Sequence, residues 1–247
     1  MTMKVAVLGA RGRMGSTACR AVEAAPDLEL AAGLDVGDDL AALVGADVAV
    51  DFTRPDAAVG NARACVERGV SVVIGTSGIT AERQAELEGV LEGATGASVL
   101  VVPNFSIGAV LLTRFAATAA RFYESVEIVE MHHPQKIDAP SGTARRTAQL
   151  VAAARREAGL GPLPDATTDD PDGARGARVD GIPVHAVRLR GMVASEEVLL
   201  GAPGEALTLR HDSFDRESFM PGVLLALRRV RERPGLTVGL EAYLDLG

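Results

Sequence analysis

The chain has 247 residues, 47% of them hydrophobic, and a net charge of −8. That is enough apolar material for one large domain or two modest ones, while the negative balance excludes a nucleic-acid groove, which needs clustered positive charge to neutralise phosphates. Its apolar runs fall short of the roughly 18 residues that span a bilayer, and the N-terminus lacks the basic, apolar, cleavable pattern of a signal segment, so a cytoplasmic protein that handles a small metabolite, with no membrane or nucleic-acid partner, is expected.

Short continuous apolar runs at 4–9, 28–35, 47–52, 70–75 and 98–103 read as strands of a parallel sheet covered on both faces. Segments 14–25, 55–68 and 80–93 between them have helical spacing and crossover length. Together they predict an α/β fold, a Rossmann-like doubly wound sheet over residues 1–105. The first strand runs directly into GARGRMG, where Gly9, Gly12 and Gly15 open a helix as a dinucleotide fingerprint does. Asp35 ends the second strand at the offset of an acid that accepts adenosine ribose hydroxyls, which favours NADH. Arg11 and Arg13 precede Met14 in the glycine turn, all three candidate cofactor contacts, and a guanidinium there suits a 2′-phosphate, so NADPH is expected to be accepted as well. Three further turns close successive strands: Asp51-Phe52-Thr53, Gly75-Thr76-Ser77 and Pro103-Asn104-Phe105. Ligands bind at that edge of an open α/β sheet, so all nine residues are candidate cofactor contacts.

A helix over 106–121 leads out of this sheet into a second pattern, with strands at 125–132, 183–190, 193–201 and 205–211 around one helix at 141–157. Few helices among many strands predict a smaller α+β domain over 106–214. Residues 160–181, rich in Gly, Pro and Asp, read as a long mobile loop, and a helix at 215–232 is expected to return the chain to the first domain, which would then own 215–247. Cys19 and Cys65 lie in helical patterns and read as packing thiols.

The segment EMHHPQKIDAPSGTA carries the chemistry. Of four histidines and two lysines in the chain, His132, His133 and Lys136 fall within five residues. Pro134 ends the strand that bears the histidines, and Asp138 or Ser141 can cap a helix whose first amides, at Gly142 and Thr143, form an anion site. A histidine acid beside a lysine and a helix N-terminus suits a substrate with one or two carboxylates, with His132 and Lys136 as catalytic candidates. No third histidine and no cysteine stands at metal-ligand spacing. His185 and His211 sit in strand patterns and read as structural.

The set GARGRMG, DFTRP, GTSG, PNFSIGA and HHPQKIDAPSGT resembles the 4-hydroxy-tetrahydrodipicolinate reductase family, also called dihydrodipicolinate reductases, over essentially the whole chain. The resemblance implies an NAD(P)H-dependent oxidoreductase of diaminopimelate and lysine biosynthesis that reduces a cyclic imine dicarboxylate. It implies His132 as proton donor, with His133, Lys136, Gly142 and Thr143 holding the substrate carboxylates, and a homotetramer built through the sheets of the second domain. GMVASE stands where many members carry DIVGEH, which puts Glu196 in the place of the usual histidine. Two other readings, another two-domain amino-acid or imine dehydrogenase and an NAD(H)-sensing module, leave the His-His-Lys-Gly-Thr group unexplained.

Overall fold

A computed structural model describes residues 2–76 and 78–245. The chain divides into two compact units, one made of Met1–Ile107 with Arg216–Gly247 and the other of Gly108–Asp215.

The first unit begins with β1 (Met3–Leu8), α1 (Arg13–Ala24), β2 (Leu28–Leu34), β3 (Val48–Asp51), α2 (Pro55–Val66), β4 (Ser71–Ile74), α3 (Ala81–Leu91) and β5 (Ser98–Val101). Every residue of β3, β4 and β5 is buried, as expected of parallel strands with helices on both faces. Helix α2 starts on Pro55, whose missing N–H costs nothing in a first turn, and α3 is capped by the Thr80 hydroxyl, which accepts from the Arg83 amide. Cys65 lies in the core among Ala62, Val66, Val72 and Ile74, and burial pushes its thiol up to about 12.

The second unit holds most of α4 (Ile107–Ala119), then β6 (Ser125–His132), α5 (Gly142–Glu157), β7 (Ala177–Val179), β8 (Ile182–Arg188), β9 (Ala194–Ala202) and β10 (Glu205–Ser213). They form one mixed sheet in the order β10-β9-β6-β8-β7, with β6 parallel to β8 and antiparallel to β9. Its core joins Val126 and Ile128 of β6 and Val198 and Leu200 of β9 to Leu112 and Ala116 of α4 and Ala148 and Val151 of α5. Burial alternates along β6 and takes in Glu130 after Val126 and Ile128, so a carboxylate continues an apolar series.

Segment 160–181 differs from its expected form at its C-terminal end. β7 pairs with β8 through a two-residue turn, Asp180-Gly181, in which both residues have positive φ (49° and 86°), the hairpin geometry that an Asp-Gly pair favours. The irregular part is tied down. Arg175 pairs with Glu127 and Asp165, Arg178 pairs with Asp165, and the buried Arg155 donates to the Gly161 carbonyl at 3.5 Å.

The 215–232 region folds as a short 3₁₀ turn, then α6 (Met220–Arg229), then a second 3₁₀ turn. The helical segment ends before Pro234, and the sheet gains one more strand, β11 (Gly235–Val238), parallel to β5. The completed first sheet is wholly parallel, in the order β11-β5-β4-β3-β1-β2. The strand order reverses at β1, which lies between β2 and β3, so the crevice for a ligand opens beyond the carboxyl ends of these three strands.

Candidate active site

A cavity of about 480 Å³ occupies that crevice, lined by Gly9 and Gly12 after β1, Asp35 to Asp38 after β2, and Phe52, Thr53 and Arg54 after β3. Its floor is backbone. Gly9 has φ +78°, and a Cβ on it would lie 2.8 Å from the Phe52 carbonyl oxygen; one on Gly15 would lie 2.0 Å from that of Gly9. Side chains at those positions are impossible without moving the turn. Helix α1 starts at Arg13 after an extended Gly12, with no side-chain cap and no acid in its first turn, which leaves its N-terminal dipole open towards the glycine turn. These residues fit a dinucleotide pyrophosphate.

Asp35 accepts the backbone N–H groups of Val36 and Arg11, each at 2.9 Å, and these bonds hold its carboxyl below the usual carboxylate range. It is therefore a fixed anion at the cavity wall. Arg11, expected to await a phosphate, turns its guanidinium to Asp38: Nη2 lies 3.0 and 3.2 Å from the two carboxylate oxygens.

The three other turns divide by burial. Asp51 is completely buried, and its carboxylate accepts from the Thr53 amide (2.7 Å) and hydroxyl (2.6 Å), the Thr76 hydroxyl (3.0 Å) and the Asn61 amide (2.8 Å). Expected as a contact, it is placed instead to lock the turns that carry Thr53 and Thr76, because it has no exposed surface and four protein donors converge on it. Gly75 lies under the edge-to-face pair of Phe52 and Phe105, and a Cβ there would come within 2.5 Å of both rings. Asn104 closes its own turn by accepting from the Ser106 amide at 2.8 Å, next to the exposed Pro103. Ser77 lies outside the described residues.

In the second unit β6 delivers His132 at its last residue, with Glu130 two positions earlier on the same face. Glu130 Oε2 lies 2.6 Å from His132 Nδ1 and accepts from Arg188 Nη1 at 2.8 Å; Oε1 accepts from Arg188 Nη2 (2.8 Å) and the Ser141 amide (3.0 Å). Burial alone would raise this carboxyl, but the bonds from His132 and Arg188 outweigh it and hold Glu130 down at about 2. An ionised carboxylate only accepts. Nδ1 of His132 must therefore carry a proton, which leaves Nε2 as the atom that exchanges one. Sequence reading missed both Glu130 and Arg188, although the alternation of β6, which puts an acid in the core series beside a histidine, was the available signal for the first.

Lys136 follows in a tight turn whose amide donates to the His133 carbonyl, and its Nζ lies 2.6 Å from Asp138 Oδ1. Asp138 also accepts from the Gly142 amide, and although burial pushes its carboxyl up, Lys136 and this amide hold it below the usual carboxylate range. Ser141 is the cap of α5, its hydroxyl accepting from the Ala144 amide at 3.2 Å. A protein carboxylate thus sits on two of the expected anion donors, Lys136 and Gly142, with Thr143 next in the same first turn. His133 Nδ1 is buried and meets no hydrogen-bond partner among the described residues.

His185 Nε2 bonds Glu127 at 2.7 Å, and His211 packs its ring against Gly108, where a Cβ would lie 2.4 Å from it. Glu196 on β9 stands directly opposite Glu130 on one side and His211 on the other. Only 4% exposed and with Oε1 unpartnered, it is pushed up to about 7, first by burial and further by the charge of Glu130, against a hydrogen bond from Thr147. Its folded value exceeds the ordinary 4.5, so its burden on stability is absent below pH 4.5, grows as pH rises and is complete above about 7. Glu196→Gln is expected to be more stable than the parent by up to about 3 kcal/mol in mildly alkaline solution and no different in acid, as measured by urea unfolding across pH. Parallel stability profiles for the two proteins would refute this.

Comparison with known proteins identifies the family. Residues 3–105 match the family described as dihydrodipicolinate reductase, N-terminus, and residues 108–244 match its C-terminus. A 4-hydroxy-tetrahydrodipicolinate reductase of Streptomyces coelicolor is 60% identical over 99% of this chain and 98% of its own, and that of Nocardia farcinica is 58% identical over 100% of both. The solved structure of a dipicolinate-bound dihydrodipicolinate reductase from Paenisporosarcina sp. TG-14 superposes with a TM-score of 0.85 at 39% identity, covering 99% of this chain and 100% of that one. An amine dehydrogenase of Mycobacterium smegmatis, at 14% identity and a TM-score of 0.63, shares the fold.

Proposed function

The chain belongs to the dihydrodipicolinate reductase family and is an oxidoreductase of diaminopimelate and lysine biosynthesis; we propose that it reduces 4-hydroxy-tetrahydrodipicolinate with His132 as proton donor and Lys136 as the principal charge on a substrate carboxylate. The observation that carries this reading is the ionised Glu130 bound to His132 Nδ1, four residues before a lysine that already holds a carboxylate.

A nicotinamide dinucleotide, when bound, supplies the hydride. The glycine turn and α1 would hold its pyrophosphate, and Asp35 would hold the adenosine ribose. We take NADH and NADPH both to be accepted, because Asp35 suits a ribose hydroxyl while Arg11 brings a guanidinium to Asp38, another residue that lines the cavity. Glu130 keeps the His132 ring in one orientation with Nδ1–H inward, so that, once the 4-hydroxyl has left with a ring proton as water, Nε2 gives its proton to the ring carbon made basic by hydride addition. Lys136 and the first amides of α5, Gly142 and Thr143, exchange the Asp138 carboxylate for that of the substrate. His133 offers its unpartnered Nδ1 to the same ligand. Assembly as a homotetramer through the second unit's sheet is part of the proposal. The sheet face away from α4 and α5 carries the half-exposed Val129, Met131 and Leu199, apolar material that a partner would cover. Work in the cytoplasm accords with the absence, among the described residues, of a helix able to cross a membrane.

Lys136→Ala tests the substrate half. Hydrogen bonds to charged groups contribute about 1.5–3 kcal/mol, so binding of dipicolinate, the planar dicarboxylate seen on the Paenisporosarcina relative, is expected to weaken roughly tenfold to hundredfold by calorimetric titration. Unchanged affinity would remove Lys136 from the site.

A further inference from the structure

Within the cofactor reading above, on which this inference rests, we infer that Asp38 is a specificity-determining residue: by holding the Arg11 guanidinium it withdraws the cation that a ribose 2′-phosphate needs, and so tilts the cavity towards the dinucleotide with a free 2′-hydroxyl. Arg11 lies between two acids and serves both. Its backbone N–H donates to Asp35 Oδ2 at 2.9 Å, while its Nη2 bridges both oxygens of Asp38. Asp38 is held in turn, because its Oδ2 accepts the Asp35 amide at 2.8 Å, which fixes the carboxylate at the end of β2. Both acids line the cavity. A phosphate brought to Asp35 therefore meets a second carboxylate and finds the guanidinium already matched to an anion, whereas a hydroxyl needs only an acceptor.

The pair is a tilt and not a block. The Arg11 side chain is 71% exposed and that of Asp38 32%, and exposed ion pairs are weak and screened, so a phosphate can draw the arginine away at some cost. This reconciles the two acids with acceptance of both dinucleotides and makes Asp38 the residue that sets their ratio.

Asp38→Asn separates the two jobs of the side chain, since its amide oxygen can still accept the Asp35 N–H while the charge is gone. Titration of parent and variants with NADH and NADPH, read by cofactor fluorescence, gives the ratio of affinities without turnover. In Asp38→Asn the NADPH-to-NADH affinity ratio is expected to rise roughly twofold to fivefold, and Arg11→Ala is expected to cancel that rise when combined with it. The same titrations with adenosine 2′,5′-bisphosphate and AMP should reproduce the pattern. An unchanged ratio in Asp38→Asn, or a rise that survives Arg11→Ala, would overturn the assignment while leaving the cofactor reading intact. Failure of the parent to bind either dinucleotide would overturn the cofactor reading itself, and this inference with it.

Discussion

His132→Gln is expected to lower turnover by roughly 10²-fold or more while dinucleotide binding stays near that of the parent. Glutamine keeps a polar group of similar length at the end of β6 and can still donate to Glu130, but it has no proton to give at neutral pH. General-acid catalysis by a placed side chain contributes about 10²–10⁴ in rate, and that is the contribution removed. Steady-state kinetics combined with a cofactor titration separates the two effects. Turnover within a few-fold of the parent would mean that the proton comes from elsewhere, and a parallel loss of cofactor affinity would mean that the substitution had disturbed the fold.

Glu130→Ala is expected to damage both stability and catalysis. In the parent the four donors of His132, Arg188 and Ser141 converge on a carboxylate with no exposed surface. Removing one partner of a buried ion pair leaves the other uncompensated, a loss of about 3–5 kcal/mol. The acidity of the group points the same way. A folded value of about 2 against an ordinary 4.5 means that the carboxylate's contribution is present above pH 4.5 and lost as pH falls towards 2. That shift corresponds to about 3 kcal/mol. Urea unfolding should therefore show a large deficit for the variant at neutral pH that narrows in acid, and turnover should fall because Nδ1 of His132 is no longer fixed. Glu130→Gln, which keeps the volume, should recover part of the stability and less of the rate. A variant as stable as the parent at neutral pH would show that the Glu130 network contributes little to the folded state.

The site was only partly legible in the residues themselves. The glycine turn, the acid after β2 and the His-His-Lys-Gly-Thr group are local signals, spelled within a few positions of one another. Glu130 with Arg188, and Arg11 with Asp38, are pairs separated by 58 and 27 residues, and nothing in either segment names its partner. Such pairs are set by strand register and by the turn after β2. Asp51 shows the opposite case: its place at a ligand edge suggested a contact, but four protein donors claim it because the turns around it need an acceptor more than a ligand does.

The sheets follow the same division. β1, β3, β4 and β5 are continuous apolar runs and read directly from periodicity. β11, four residues long, is hidden behind a Pro-Gly pair that usually ends structure, and only a free edge beside β5 gives it a place to pair. β7 is three residues long within a Gly- and Asp-rich stretch. Its hairpin was announced by Asp180-Gly181, a turn signal outweighed by the composition around it.

The most direct test of the central claim is the loss of reduced-nicotinamide absorbance when the purified protein meets freshly prepared 4-hydroxy-tetrahydrodipicolinate, with NADH and with NADPH in turn. Rapid, substrate-dependent oxidation of both is expected, abolished by omitting the substrate and reduced about 10²-fold in His132→Gln. No oxidation of either dinucleotide by a folded protein that binds them would contradict the reductase assignment.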